Sequence, residues 1–179
     1  MLEVELKVQV PSLEPIREQL IQKEAKVLER VHEHDVYYNA PHRDFGKTDE
    51  AVRVRYTDKN AVVTYKGPKK KEFGLKAREE LNFAVESGEA FEKMLDRLGF
   101  TRTADVNKWR ENYKYGGASI SLDTVDGLGT YIEIEVIAKD ERDNPTGRIE
   151  QVAREIGAEG KPLLESYLEL LLNKRKSGI

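Results

Sequence analysis

The run Glu3-Val4-Glu5-Leu6-Lys7, continued by Val8, alternates charged and apolar side chains. In an extended chain, successive side chains point to opposite faces. Glu3, Glu5 and Lys7 therefore share one face, and Val4, Leu6 and Val8 the other. Alone, the pattern describes an ordinary half-buried strand with its charged side in water. The same device recurs strand after strand, and that recurrence argues against a solvated face.

Ala51–Thr57 puts Arg53 and Arg55 on one face, with Val52, Val54 and Tyr56 on the other. Ala61–Lys66 aligns Val62, Thr64 and Lys66. Leu75–Val85 aligns Lys76, Arg78, Glu80 and Asn82 opposite a face that includes Leu81, Phe83 and Val85. Beyond Phe100, Lys108 and Arg110 share a face. Ala118–Val125 separates Ser119, Ser121 and Asp123 from Ala118, Ile120 and Leu122. Thr130–Ala138 sets Glu133 and Glu135 opposite Ile132, Ile134 and Val136. Val31–Tyr38 also has strand character, and residues 39–50 form a polar loop.

Between these strands, Ser12 is the expected N-cap of a helix running from Leu13 to about residue 28. Ser87 caps a second helix, which stops at Gly99. Asn144-Pro145 opens a third, ending at Gly157. Pro162 precedes a fourth, with Leu164, Tyr167, Leu168 and Leu171. About eight strands with short connections favour antiparallel pairing. The expected class is α+β.

The charged faces are sorted by sign. Acids cluster on the first and last two strands, bases on the middle ones. Like charges at i, i+2 repel unless a counter-charge sits between them. Adjacent carboxylates suit magnesium or manganese, which take oxygen ligands. Adjacent Arg and Lys suit phosphate oxygens. Together they imply a barrel with a polar interior and its apolar faces outward beneath helices, the reverse of the usual small barrel.

Composition narrows the alternatives. The 179 residues suggest one domain, and 33 acids against 30 bases give a net charge of −3. A pI near 5.8 argues against a general nucleic-acid binder. Without cysteine, disulfides, thiolate metal sites and cysteine nucleophiles are excluded. No apolar run approaches a membrane span and the N-terminus lacks a signal-type apolar region, so a cytoplasmic protein without membrane contact is expected.

The ordered set of motifs resembles the CYTH family of triphosphate tunnel enzymes, which includes class IV adenylyl cyclases and triphosphatases. Glu3-x-Glu5-x-Lys7 matches the family's ExExK signature. Arg53-x-Arg55, the Thr64–Pro68 segment with Lys66, Arg78-Glu79-Glu80, Lys108-x-Arg110, Asp123 and Glu133-Ile134-Glu135 follow in family order. The resemblance implies one domain over residues 1–179, a closed eight-stranded antiparallel β-barrel with helices outside, and a triphosphate bound within. It assigns Glu3, Glu5, Asp123, Glu133 and Glu135 to one or two magnesium or manganese ions. It assigns Lys7, Arg53, Arg55, Lys66, Arg78, Lys108 and Arg110 to the triphosphate. Glu5, Lys7, Glu80 and Lys108 are the candidate catalytic groups.

Asp35-x-Tyr37, Asp44-Phe45, Lys47–Ala51 and Ser166–Leu171 resemble the class IV adenylyl cyclase branch. That branch converts ATP to cyclic AMP and pyrophosphate. The alternatives are a triphosphatase acting on inorganic, nucleoside or thiamine triphosphate, and a non-catalytic polyphosphate or nucleotide binder. On either reading Arg55→Ala mainly weakens triphosphate binding. His32 and His34 share a face and are read as surface residues rather than metal ligands. Trp109 should face outward, Lys69–Lys71 could form a lid, and the Tyr167–Leu168 helix packs on the barrel or forms a homodimer contact.

Overall fold

Each strand pairs antiparallel with two neighbours, in the order β1-β5-β4-β3-β2-β6-β7-β8, and β1 pairs with β8 to close the ring. The computed structural model describes residues 2–70, 75–138 and 143–178. The strands are β1 (Leu2–Val10), β2 (Lys26–Asn39), β3 (Ala51–Tyr56), β4 (Ala61–Lys66), β5 (Lys76–Val85), β6 (Thr101–Tyr115), β7 (Ala118–Val125) and β8 (Gly129–Ala138). The helices are α1 (Glu14–Gln22), α2 (Phe45–Thr48), α3 (Gly88–Arg97), α4 (Pro145–Ile156) and α5 (Tyr167–Lys176).

The period-two pattern turns the barrel inside out. Val4, Val8, Ile120, Ile132 and Ile134 face outward and pack beneath α1 and α4 through Ile16, Leu20, Ile149, Val152 and Ile156. Val36, Val54 and Val63 form a second outer cluster closed by Leu95 of α3. The interior is not polar throughout. Tyr37, Val106, Val125 and Tyr131 form an apolar cluster with Tyr167, the first residue of α5, which plugs that region.

Three local expectations change. The first helix ends at Gln22 rather than near residue 28, because Glu24 takes a left-handed φ of 53°. Val27 and Leu28 instead lie in a longer β2, both exposed. Leu13, not Ser12, is the N-cap of α1, although the Ser12 hydroxyl accepts from the Glu14 amide at 3.2 Å. The loop at 39–50 contains α2, whose N-cap Asp44 accepts from the Gly46 amide at 3.0 Å. The Ser87 and Asn144 caps form as the sequence indicates. The last helix begins at Tyr167 behind a Ser166–Glu169 capping box, leaving Leu164 outside it.

Candidate active site

The alternating charged positions converge on a cavity of about 110 Å³ inside the barrel. β1 supplies Glu3, Glu5 and Lys7, β3 supplies Arg53 and Arg55, and β4 supplies Lys66. Arg78 and Glu80 come from β5, Lys108 and Arg110 from β6, and Glu133 and Glu135 from β8. Strand register explains the convergence. Glu5 faces Glu135 across the β1–β8 ladder and Lys7 faces Glu133, while Glu3 faces Arg78 across β1–β5. Directly opposed residues have neighbouring side chains, so the charges meet within the barrel.

One side of the cavity is crowded with carboxylates. Burial, followed by repulsion from Glu80 and Glu135, raises the Glu3 carboxyl to about 7 despite Lys66 nearby. Glu135 is raised by burial and by Glu5, Glu133 and Glu80. Lys7, almost fully buried, lies 3.5 Å from Glu5 and 3.3 Å from Glu133. Burial opposes its charge, but these two carboxylates outweigh burial and raise its pKa.

The other side is dominated by cations. Arg55 grips Asp35 with two hydrogen bonds of 2.7 and 2.8 Å and donates a third to Glu33 at 2.9 Å. Lys108 lies 2.8 Å from Glu33. Asp35 is buried, which opposes its charge, yet Arg55, Lys108 and Arg53 hold its pKa well below the usual carboxylate range. Lys108 moves the opposite way: burial, Arg55 and Arg110 lower its pKa more than Asp35 and Glu33 restore it. Arg53 Nε and Arg78 Nε are buried without a hydrogen-bond partner. Such donors are costly to leave unsatisfied.

Asp123 stands apart from the other expected metal ligands. It is fully buried, is held by Arg110 through both oxygens, and accepts from the Tyr167 hydroxyl at 2.7 Å. It does not line the cavity surface, so in this structure it orients Arg110 and anchors α5. Arg110 also contacts Glu133. Among the described residues, no three His, Asp or Glu side chains already converge in a metal-binding arrangement. Lys7 and Arg110 lie between the acids. The donor set around Glu3, Glu5 and Glu135 still suits a hard divalent cation: its ligands are all carboxylate oxygens, and its like charges are only partly compensated.

The CYTH domain family matches residues 1–167. The chain belongs to the CYTH family. A Methanocaldococcus jannaschii protein bearing a provisional adenylate cyclase name is 35% identical over 173 residues, covering 95% of this chain and 98% of that protein. The solved PH1819 protein from Pyrococcus horikoshii is 38% identical, with a TM-score of 0.85 over 96% of this chain and 99% of that one. A Hippeastrum protein described as revealing a dominant triphosphatase activity shares the fold, with a TM-score of 0.70 at 19% identity over 96% of each chain.

In this CYTH barrel, several groups have roles at the site that the sequence does not show. Glu33 and Asp35 lie on the inner face of β2 as counter-ions of Arg55 and Lys108. The sequence marks Asp35-x-Tyr37 only through the family resemblance and leaves Glu33 unmarked, with His32 and His34 on the opposite face. Those histidines are outside: His34 bonds Asp105 at 2.8 Å, and His32 lies beside the exposed, outward Trp109. Tyr167 read as packing on the barrel or as a dimer contact, yet its ring lies 4.2 Å from the Lys7 ammonium and lines the cavity. Lys69 bridges Asp49 at 3.1 Å and Glu169 at 2.7 Å. Lys71, the last residue of the expected Lys69–Lys71 lid, lies outside the described residues.

Proposed function

We propose that this CYTH chain is a metal-dependent enzyme acting on a triphosphate compound. The observation that carries the reading is the pair of opposed electrostatic deficits in one cavity. Burial and neighbouring carboxylates push Glu3 and Glu135 up on one side, and burial with Arg55 and Arg110 pushes Lys108 down on the other. A metal–polyphosphate complex answers both deficits.

Glu3, Glu5 and Glu135, with Glu133 beside them, would hold the metal. A divalent cation there would supply Lewis-acid polarisation of a phosphate oxygen. Arg53, Arg55, Lys108 and Arg110 bind the phosphate chain and neutralise charge that develops on the leaving group. Lys7 sits between the acid cluster and the basic wall and can donate to either. Asp123 and Tyr167 keep Arg110 in position.

The finer reading is an adenylyl cyclase, supported by the provisional cyclase name of a relative that matches nearly end to end. The same groups serve a triphosphatase if water attacks the terminal phosphorus, the activity described for the Hippeastrum neighbour. Incubation with ATP, GTP, thiamine triphosphate or tripolyphosphate, each with magnesium or manganese, separates the readings by products. Cyclic AMP with pyrophosphate is expected. Release of inorganic phosphate replaces the cyclase with a triphosphatase, and no turnover of any of the four overturns the catalytic reading.

A further inference from the structure

The barrel wall is uneven where β5 ends. β5 runs from Lys76 to Val85, but its ladder with β1 covers only Lys76–Glu79, because β1 begins at Leu2, opposite Glu79. On its other side β5 stays paired with β4 as far as Val85. Among the described residues, no strand pairs with Leu81–Val85 on the β1 side. Backbone groups along a strand point alternately to its two neighbours, and two bonds fix the phase here. The Gly67 amide donates to the Glu79 carbonyl at 2.9 Å, and the Lys70 amide to the Ala77 carbonyl at 2.6 Å, both on the β4 side. Odd-numbered residues of β5 therefore bond toward β4, and the amides of Asn82 and Ala84 point to the open edge. Such an edge is a template for another strand.

The outer face beside that edge is apolar. Leu81 and Phe83 are 54% and 51% exposed, and Met94 and Leu98 of α3 are 48% and 59% exposed. The two pairs are neighbours. α3 sends Leu95 into the cluster beneath it, and its Glu92 accepts from the Tyr38 and Tyr56 hydroxyls on β2 and β3. With about 3.6 residues per turn, Phe91, Met94 and Leu98 fall on the opposite flank, toward β5. The Phe83 and Phe91 rings accordingly meet edge to face at 6.2 Å. Apolar side chains grouped in this way mark a contact surface, unlike the single exposed ones normal on any protein.

We propose that this edge joins two copies of the chain, β5 pairing antiparallel with β5 of the second copy about a two-fold axis. A two-fold brings the same patch to both sides of a contact, and an antiparallel strand is its own complement. The two sheets then run on as β4-β5-β5-β4, with both α3 helices on one face. Strand spacing of about 4.8 Å sets the two β4 strands roughly 14 Å apart. Between the helices lies a groove that Leu81, Phe83, Met94 and Leu98 of both copies fill. The axis also makes the helices antiparallel, so the acidic first turn of one, with Glu89, lies toward the basic last turn of the other, with Arg97. A foreign extended peptide would satisfy the strand edge but would bring no second α3 to cover Met94 and Leu98. The interface lies outside the ionic cavity and does not depend on what binds there.

Sedimentation equilibrium should give twice the 20.5 kDa mass of one chain. Two variants test the contact. Phe83→Glu places charge on the apolar face. Ala84→Pro removes an edge amide while leaving the β4 ladder intact. Each should raise the dimer dissociation constant by about tenfold or more. Trp109→Glu, on the exposed outer face of β6, should leave it unchanged. Hydrogen exchange on the wild type needs no variant to fold: the Asn82 and Ala84 amides should be protected at high protein concentration and exchange faster on dilution. A monomer at every concentration overturns the proposal. So does a dimer that Phe83→Glu and Ala84→Pro leave intact, one that Trp109→Glu breaks instead, or one whose two edge amides exchange at the same rate whatever the dilution.

Discussion

Glu3 and Asp35 are both carboxylates on inward faces of one barrel, yet their acidities move in opposite directions. Burial raises both. The neighbours decide the outcome: Glu80 and Glu135 surround Glu3, whereas Arg55, Lys108 and Arg53 surround Asp35. On the β1–β5–β8 side carboxylates crowd one another, and it is there that the proposed cation would sit. The β2–β3–β6 side already has its carboxylates neutralised and keeps cationic capacity to spare. Burial alone therefore does not mark a reactive carboxylate; unbalanced neighbours do.

The sharpest way to break this contrast is Glu5→Ala. Metal-dependent turnover should fall by on the order of a hundredfold or more. The fold should survive, because Lys7 keeps Glu133 and crowding on Glu135 is relieved. Product formation measured beside a thermal melt checks both halves. Normal activity would remove Glu5 from the metal site.

Arg55→Ala tests the other side and should behave differently. The sequence suggested mainly a loss of binding. In the structure Arg55 is the main counter-ion of buried Asp35, so removal should also cost roughly 3 kcal/mol of stability. A denaturant melt at neutral pH reads that loss. A variant that binds triphosphate weakly but melts like wild type would mean that Asp35 finds other partners.

Glu3→Gln probes the acid side without metal. The folded-state pKa of Glu3, about 7, lies above its ordinary value of 4.5. Its contribution to stability is therefore present below pH 4.5 and is lost as pH rises through 7. The substitution should raise metal-free stability by about 1 kcal/mol at pH 8, allowing for partial solvent screening, and by little near pH 4. Melting curves at the two pH values decide it, and an equal gain at both would exclude titration of Glu3. Ser166→Ala, which removes the α5 cap on the basic side, should cost only about 1 kcal/mol. Thermal melting reads that loss, and an unchanged melt would mean the cap is dispensable.

The inside-out architecture was legible because alternation has period two and cannot be confused with a helix over a full strand. Twelve expected site residues line the cavity because period two fixes a face. What sequence could not supply was register. That Asp123 meets Arg110 and Tyr167, and so stays off the cavity surface, follows only from cross-strand partners. The start of β2 was hidden because Val27 and Leu28 continue the apolar spacing of α1, and the left-handed turn at Glu24 leaves no glycine to mark it. Tyr167 was obscured by the leucines around it.

Closure of the barrel by β1 against β8 has a consequence for how the protein is made. Glu5 is synthesised long before Glu135, yet they face each other in one ladder. Until β8 has been synthesised, the first strand lacks that partner, and half of the acidic pair does not exist. Pairing so distant in sequence is slow to form. A nascent chain that has not reached β8 therefore cannot present the acidic pair, and the proposed cation would have to wait for the ring to be complete.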